Sequence, residues 1–254
     1  MAKTAGGPAI AFQLLVYPVT NPDLLAARRL ESAALERALA NTEAGGAACW
    51  ARVALTYRRE RFAVMDSAFV AYERLTELNE GLAAYVQLRV SGGAVTIPPS
   101  EFLPEAVRLR AYTIGPALAV LLDRLSPGWQ QALEADDTRS LDGLLAAALD
   151  APGAPTSASC AFTPVEVGAA KRTARFDAGQ VTVGWGQRQR AFETKEGWRV
   201  VIQSARGQPL WPQGFDPLNV DRVDGALIHT RFLKLGNDAG QLTAIDEGGA
   251  DVEA

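Results

Sequence analysis

The stretch Asp66–Val90, DSAFVAYERLTELNEGLAAYVQLRV, constrains the chain more than any other. On a helix it puts Leu75, Leu78, Leu82, Tyr85 and Val86 on one side, at spacings of three and four. Glu73, Glu77 and Glu80 then line up on nearly the opposite side. None of the three has a Lys or Arg four residues on, since those positions hold Glu77, Gly81 and Ala84. Like charges at that spacing cost an isolated helix roughly 0.2–0.5 kcal/mol per pair. A sequence that keeps such a stripe either leaves it in water or gives the carboxylates something to hold. Periodicity alone favours the solvated face.

The segments around this helix set the fold class. Asp23 to about Thr42 reads as a helix with Leu24, Leu25, Leu30, Ala34, Leu35 and Leu39 near one stripe, and a second helix runs from about Ala47 to Met65. Another begins near Pro104, with a seam through Val107, Ala111, Ile114, Leu118, Leu121, Leu122 and Leu125 that Gly115-Pro116 should bend. A short piece at Trp129 and a helix over Ser140–Leu149 follow. Ala151–Thr163 is rich in proline and small residues, the composition of a linker. Pro164–Thr194 carries both patterns. Val181, Val183 and Trp185 alternate like a strand, whereas KRTAR and RQRAFE read as helix, and the balance leans to helix.

From Gly197 the pattern turns to β. Trp198, Val200 and Ile202 alternate, and Gly225–Leu235 and Gln241–Ile245 flank a hairpin loop, Gly236–Gly240. The fold class is therefore α+β, a helical first part of several packed helices followed by a smaller part with a β-hairpin-based sheet. The expected boundaries are 1–150 for the helical part, 151–163 for a linker, 164–247 for the smaller part and 248–254 for a disordered tail.

Composition removes several function classes. The net charge is −4, and the basic clusters Arg28-Arg29 and Arg58-Arg59 with Arg61 sit beside acids in helical stretches. They read as solvated faces, so no nucleic-acid partner is expected. No apolar run is long enough to span a bilayer, and no small-x-small cleavage site follows the short apolar stretch Ala9–Val16. A cytoplasmic location is the default. Cys49 and Cys160 are too few for a metal knuckle; two free thiols are the simpler reading, and a single bridge stays open.

The run Leu78-Asn79-Glu80-Gly81-Leu82-Ala83-Ala84-Tyr85 resembles the helix of gluzincin-type zinc peptidases in which an Asn-Glu-Gly-hydrophobic-Ala motif supplies the third zinc ligand. The same order continues with Tyr112-Thr113-Ile114-Gly115, Leu121-Leu122-Asp123 and Pro127-Gly128-Trp129, so the resemblance covers about Asp66–Asp150. It implies Glu80 as a metal ligand and zinc as the family's cofactor. It also implies an H-E-x-x-H helix supplying two more ligands and the general base. The sequence has no such motif, and its one histidine is His229. No zinc is then expected in this chain, and the site is at most vestigial. A shorter likeness, in Gln13-Leu14-Leu15-Val16-Tyr17-Pro18-Val19, is to a buried strand of bacterial hormone-sensitive-lipase-like esterases; it implies an esterase-like α/β-hydrolase fragment as a weaker alternative, against which stands the lack of any G-x-S-x-G elbow.

Other candidate chemistry is sparse. His229 lies in the strand-like stretch Leu227–Phe232, where a lone histidine is ordinarily structural; a functional version would pair with Glu77 or Glu80 and titrate near neutral pH. Any serine or cysteine triad would need His229 as its base. Gly184-Trp185-Gly186 lacks the third glycine of a dinucleotide fingerprint. Pro209–Pro217 reads as a rigid turn seating Trp211 and Phe215. The expectation is a metallopeptidase-like protein without catalysis, a remnant or an N-terminally truncated form that starts abruptly in an apolar stretch. The alternative is a non-catalytic module using Glu77, Glu80 and His229 to bind a ligand, peptide or protein. Self-association through an exposed apolar face is the further partner expectation.

Overall fold

The computed structural model describes residues 16–97, 103–156, 159–196, 201–202, 211–215, 220–224, 226–237, 240–246 and 250–253. The fold is α+β. Asn21 starts α1 (Pro22–Ala40), its side-chain oxygen accepting from the backbone N–H groups of Asp23 and Leu24. Pro22 at the first helical position loses nothing, because its missing N–H would be unsatisfied there. α2 spans Ala44–Ala63. Asp66 caps α3 (Ser67–Thr76) through the N–H of Ala68 at 2.8 Å.

The helix does not end at Thr76. It widens into a π-helical turn, Glu77–Gly81, in which the Leu82 N–H reaches back five residues to the Glu77 carbonyl, and resumes as α4 (Leu82–Ser91). Gly92, at φ 69°, closes α4 in the left-handed conformation that favours glycine. Then come α5 (Val107–Leu125), α6 (Trp129–Ala135), α7 (Leu141–Asp150) and the long α8 (Pro164–Thr194). The ambiguous stretch is thus one helix, and a capping box explains its start. The N–H of Thr163 donates to Glu166 at 2.7 Å, and the N–H of Glu166 donates to the Thr163 hydroxyl at 3.3 Å.

α5 is the central element. Ile114, Ala117, Leu118, Ala119, Leu121 and Leu122 are all completely buried, packed with residues of α1, α2 and α7 and with Tyr85 of α4. Where α5 crosses the π-helical turn the backbones nearly touch. A Cβ added to Gly115 would lie 2.5 Å from the Gly81 Cα and 2.9 Å from the Glu77 carbonyl oxygen. Only glycine fits either side of that crossing. Pro116 lies inside α5 at a buried position, between the buried Gly115 and Ala117.

The proline-rich stretch is fastened rather than loose. Cys49 of α2 and Cys160 are joined by a disulfide, with their Cα atoms 5.8 Å apart, which replaces the expectation of two free thiols. Phe162 packs against Trp50 and Tyr57, with the Arg37 guanidinium 4.6 Å from its ring centre. Arg52 donates to the carbonyls of Leu149 and Pro155 at 2.6 and 3.1 Å. The first turns of α8 then pair with α1 through Arg37–Glu166 and Arg29–Asp177. The helical unit accordingly runs from Tyr17 to Gly179, and the division into two compact units falls within α8, not at residues 151–163.

In the second unit β1 (Trp211–Phe215), β4 (Phe232–Asn237), β5 (Gly240–Asp246) and β6 (Ala250–Glu253) form an antiparallel sheet in the order β1-β4-β5-β6, and β2 (Val220–Val223) pairs with β3 (Ala226–His229). The β4–β5 hairpin is the one the loop composition indicated, and Asn237 accepts from the Gly240 N–H across its turn. Three expectations change. Trp211–Phe215 is an edge strand rather than a turn, with a bulge beside Pro212, and an edge is where a residue without an N–H belongs. The run expected as one strand over Gly225–Leu235 is broken at Thr230-Arg231 into β3 and β4. Ala250–Glu253, expected to be disordered, adds β6 to the open edge of β5. The strand expected at Trp198–Ile202 falls mostly outside the described residues, and 201–202 are irregular.

Candidate functional site

The acidic stripe of Asp66–Val90 faces inward. Tyr72, Glu73, Thr76, Glu77, Gly81 and Tyr85 are the buried positions, whereas Leu75, Leu78 and Leu82 are half-buried and Val86 is 56% exposed. The acidic side is buried at Glu73 and Glu77, while the expected apolar side keeps Tyr85 buried and Leu78 and Leu82 partly buried against the core. The reason lies on the neighbouring helices, which supply buried arginines.

Glu31 of α1 is at the centre of this cluster. Its carboxylate accepts from Arg58 at 3.0 Å, from Arg61 at 2.9 Å and lies 2.9 Å from Arg110. Arg58 also makes a two-bond contact with Glu77 at 2.6 and 2.8 Å. Arg61 does the same to Glu73, with one bond at 2.8 Å, and Glu73 in turn accepts from the Tyr17 hydroxyl. Paired forks of this kind are the strong, geometrically specific form of ion pair. Arg110 reaches Ser32 at 3.3 Å and stands 3.6 Å from Glu73. At the edge, Arg74 holds Asp142 with three hydrogen bonds of 2.8–3.2 Å. The clusters Arg28 and Arg58 with Arg61, expected to be solvated, are therefore interior, with Arg58 and Arg61 each 1% exposed.

The electrostatics follow from burial and pairing. Burial alone would raise the Glu31 carboxyl; Arg110, Arg58 and Arg61 together hold it well below the usual range. Burial likewise opposes ionisation of Glu73, and Arg61 overrides it, bringing the group down to about 2. At Glu77 burial wins over Arg58 and pushes the carboxyl up. Burial, reinforced by the charge of Glu73, raises the Tyr17 hydroxyl, which stays a neutral donor.

Glu80 is outside this set. Its carboxylate accepts from Arg108 at 2.6 Å. Partial burial would raise it, but Arg108 and the Tyr112 hydroxyl hold it below the ordinary value. No group of three His, Cys, Asp or Glu side chains among the described residues could hold a metal ion. Catalytic zinc asks for about three protein ligands and an open position. With one carboxylate and no companion ligands among the described residues, zinc does not fit at Glu80. His229 lies in β3 of the second unit, opposite Val220 of β2, and burial lowers its pKa. Of the three candidate residues, the structure draws Glu77 into the cluster, ties Glu80 to Arg108 and leaves His229 on a strand.

A cavity of about 10 Å³ opens beside the cluster, with Tyr17, Arg28, Glu73, Thr76, Glu77 and Arg110 in its wall. That is room for one water-sized species and too little for a peptide side chain. The sequence reading missed Tyr17, Arg28, Glu31, Arg58, Arg61 and Arg110. A signal was present. Leu24, Arg28, Glu31, Leu35 and Ala38 continue one another at spacings of four and three, as do Ala47, Ala51, Ala54, Arg58 and Arg61. Charged residues occupy seam positions of otherwise apolar stripes.

No protein-family model matches the chain, and no curated protein and no solved structure is similar to it at a significant level. No helix among the described residues is long and apolar enough to cross a membrane.

Proposed function

We propose that this chain is a non-catalytic protein on a metallopeptidase-like helical scaffold, in which the helix resembling the third-ligand helix works as a structural brace. One observation carries this reading: Glu73 and Glu77 are held by buried arginines, and Glu80, which accepts from Arg108 through one oxygen, has no companion ligands among the described residues. No second and third ligand stand beside Glu80 among the described residues, where catalytic zinc needs about three. The test is metal content by elemental analysis of the protein as isolated, together with hydrolysis of an unstructured peptide with and without a chelator. The expected result is substoichiometric zinc and no chelator-sensitive turnover. One zinc per chain with chelator-sensitive hydrolysis would sink the reading.

An interaction role is supported by apolar side chains that meet solvent. On α4, Val86 and Val90 stand one turn apart at 56% and 84% exposure, and on α5 Leu109 is 64% exposed. We read them as a surface for a second copy of the chain. Sedimentation velocity should show a concentration-dependent dimer that Val90→Glu disperses; a monomer at all concentrations would remove this role. The Cys49–Cys160 bond also bears on location, because disulfides persist in oxidising compartments and are rare in the cytosol. It favours an oxidising compartment over the cytoplasmic default. Alkylation of the denatured, unreduced protein should then leave both cysteines unmodified, and two alkylated thiols would restore the cytoplasmic reading.

A further inference from the structure

Among the described residues the buried cluster is not electrically balanced. Four arginines, Arg28, Arg58, Arg61 and Arg110, share its interior with three glutamates, Glu31, Glu73 and Glu77. Asp142 does not close the gap, because Arg74 neutralises it. The surplus falls on one residue. Arg58, Arg61 and Arg110 each contact a carboxylate, whereas Arg28 makes one long hydrogen bond to the Pro104 carbonyl at 3.4 Å, and its Nη2 has no partner among the described residues. Arg28 is only 4% exposed. An unpaired charge taken out of water is among the most costly arrangements a fold can contain. An arginine cannot shed its proton at any ordinary pH to escape the cost.

Arg28 also lines the cavity of about 10 Å³, where the Tyr17 hydroxyl, Thr76 and Arg110 share the wall with the carboxylates of Glu73 and Glu77. Those two carboxylates are each held by an arginine fork, and the one positive charge in excess belongs to the whole set of four arginines and three glutamates around the cavity. We propose that this cavity is a binding site for a single small monovalent anion of halide size, held chiefly by the guanidinium of Arg28. A volume of about 10 Å³ is of the order of one water-sized species, which suits a monatomic anion. The occupant would be structural, completing the charge balance of the core where α1, the π-helical turn and α5 meet. Burial pulls the Arg28 pKa down to about 10; Tyr17 and Glu73 raise it and Arg110 and Arg61 lower it, so the charges around it offset the burial only in part.

The test is thermal unfolding of the full chain at constant ionic strength while chloride replaces gluconate. A ligand that binds only the folded state stabilises it in proportion to the logarithm of its excess over Kd. At tenfold excess the melting temperature should rise by roughly 3–6 °C for a chain of this size. Bromide should act as chloride does and gluconate should not. Arg28→Met keeps the aliphatic bulk and removes the charge, so it should abolish the chloride response. Crystals grown in bromide give a second readout should that variant fail to fold, with an anomalous peak expected within hydrogen-bond reach of the Arg28 guanidinium. Identical melts in chloride and gluconate, a full chloride response in Arg28→Met, or no bromide peak at Arg28 would each overturn the proposal.

Discussion

Glu31 and Glu80 are both glutamates on helices, each paired with arginine, and the surroundings of each make them opposite in consequence. Glu31 is 1% exposed and touches three guanidinium groups, so removing its charge strands cations in the interior. Glu31→Gln should cost about 3–5 kcal/mol, measured by urea unfolding. Glu80 meets an Arg108 whose side chain is 59% exposed, and Glu80→Gln should change stability by less than about 1 kcal/mol in the same assay. The cluster also sets an acid limit. Glu73 is held at about 2 against its usual 4.5, so its contribution is fully present above pH 4.5 and is lost as pH falls toward 2. The loss attributable to Glu73 alone is of the order of 3 kcal/mol. Urea midpoints taken between pH 5 and pH 2 should fall steeply for the native sequence and less for Glu73→Gln.

At the scale of elements, most boundaries were legible because they rest on local chemistry. Asn21, Asp66, Ser140 and Gly92 cap helices by rules that need only neighbours in sequence. The β4–β5 hairpin was legible for the same reason. What stayed hidden depends on partners distant in the chain. The stripe Glu73–Glu77 could be turned inward only by Arg58 and Arg61, and nothing in its own heptads names them. The strand β6 was hidden too, since an acidic, glycine-rich tail becomes a strand only when β5 offers an edge. The crossing of α5 over the π-helical turn belongs here as well. Helix propensity favours alanine over glycine by about 1 kcal/mol, yet Gly115→Ala should destabilise by about 1–3 kcal/mol, because the new methyl meets backbone atoms of Gly81 and Glu77 that cannot step aside. Chemical denaturation of that single variant decides the sign.

For the molecule as a whole, the disulfide is the longest-range covalent constraint, joining residues 111 apart in sequence. Cross-linking so long a loop removes much of the freedom of the unfolded chain, and its loss should cost about 2–5 kcal/mol. A double Cys49→Ser and Cys160→Ser variant, or the native protein in a strong reductant, should show that drop in urea. The segment around Cys160 should also become accessible to protease before the rest of the helical unit, since Phe162 and the Arg52 hydrogen bonds would then hold it alone.

The ion cluster has one more implication, for how this sequence can change over generations. Its seven charged members come from α1, α2, α3, the π-helical turn and α5, and all but Arg28 pair with an opposite charge within the set. A replacement at any one position is penalised until a second position compensates, so the members are tied to one another as no surface pair is. Lineages descending from this chain should keep Glu31, Glu73 and Glu77 together with their arginines, or exchange the whole set for apolar side chains of similar volume, and sequences with half of it should be missing.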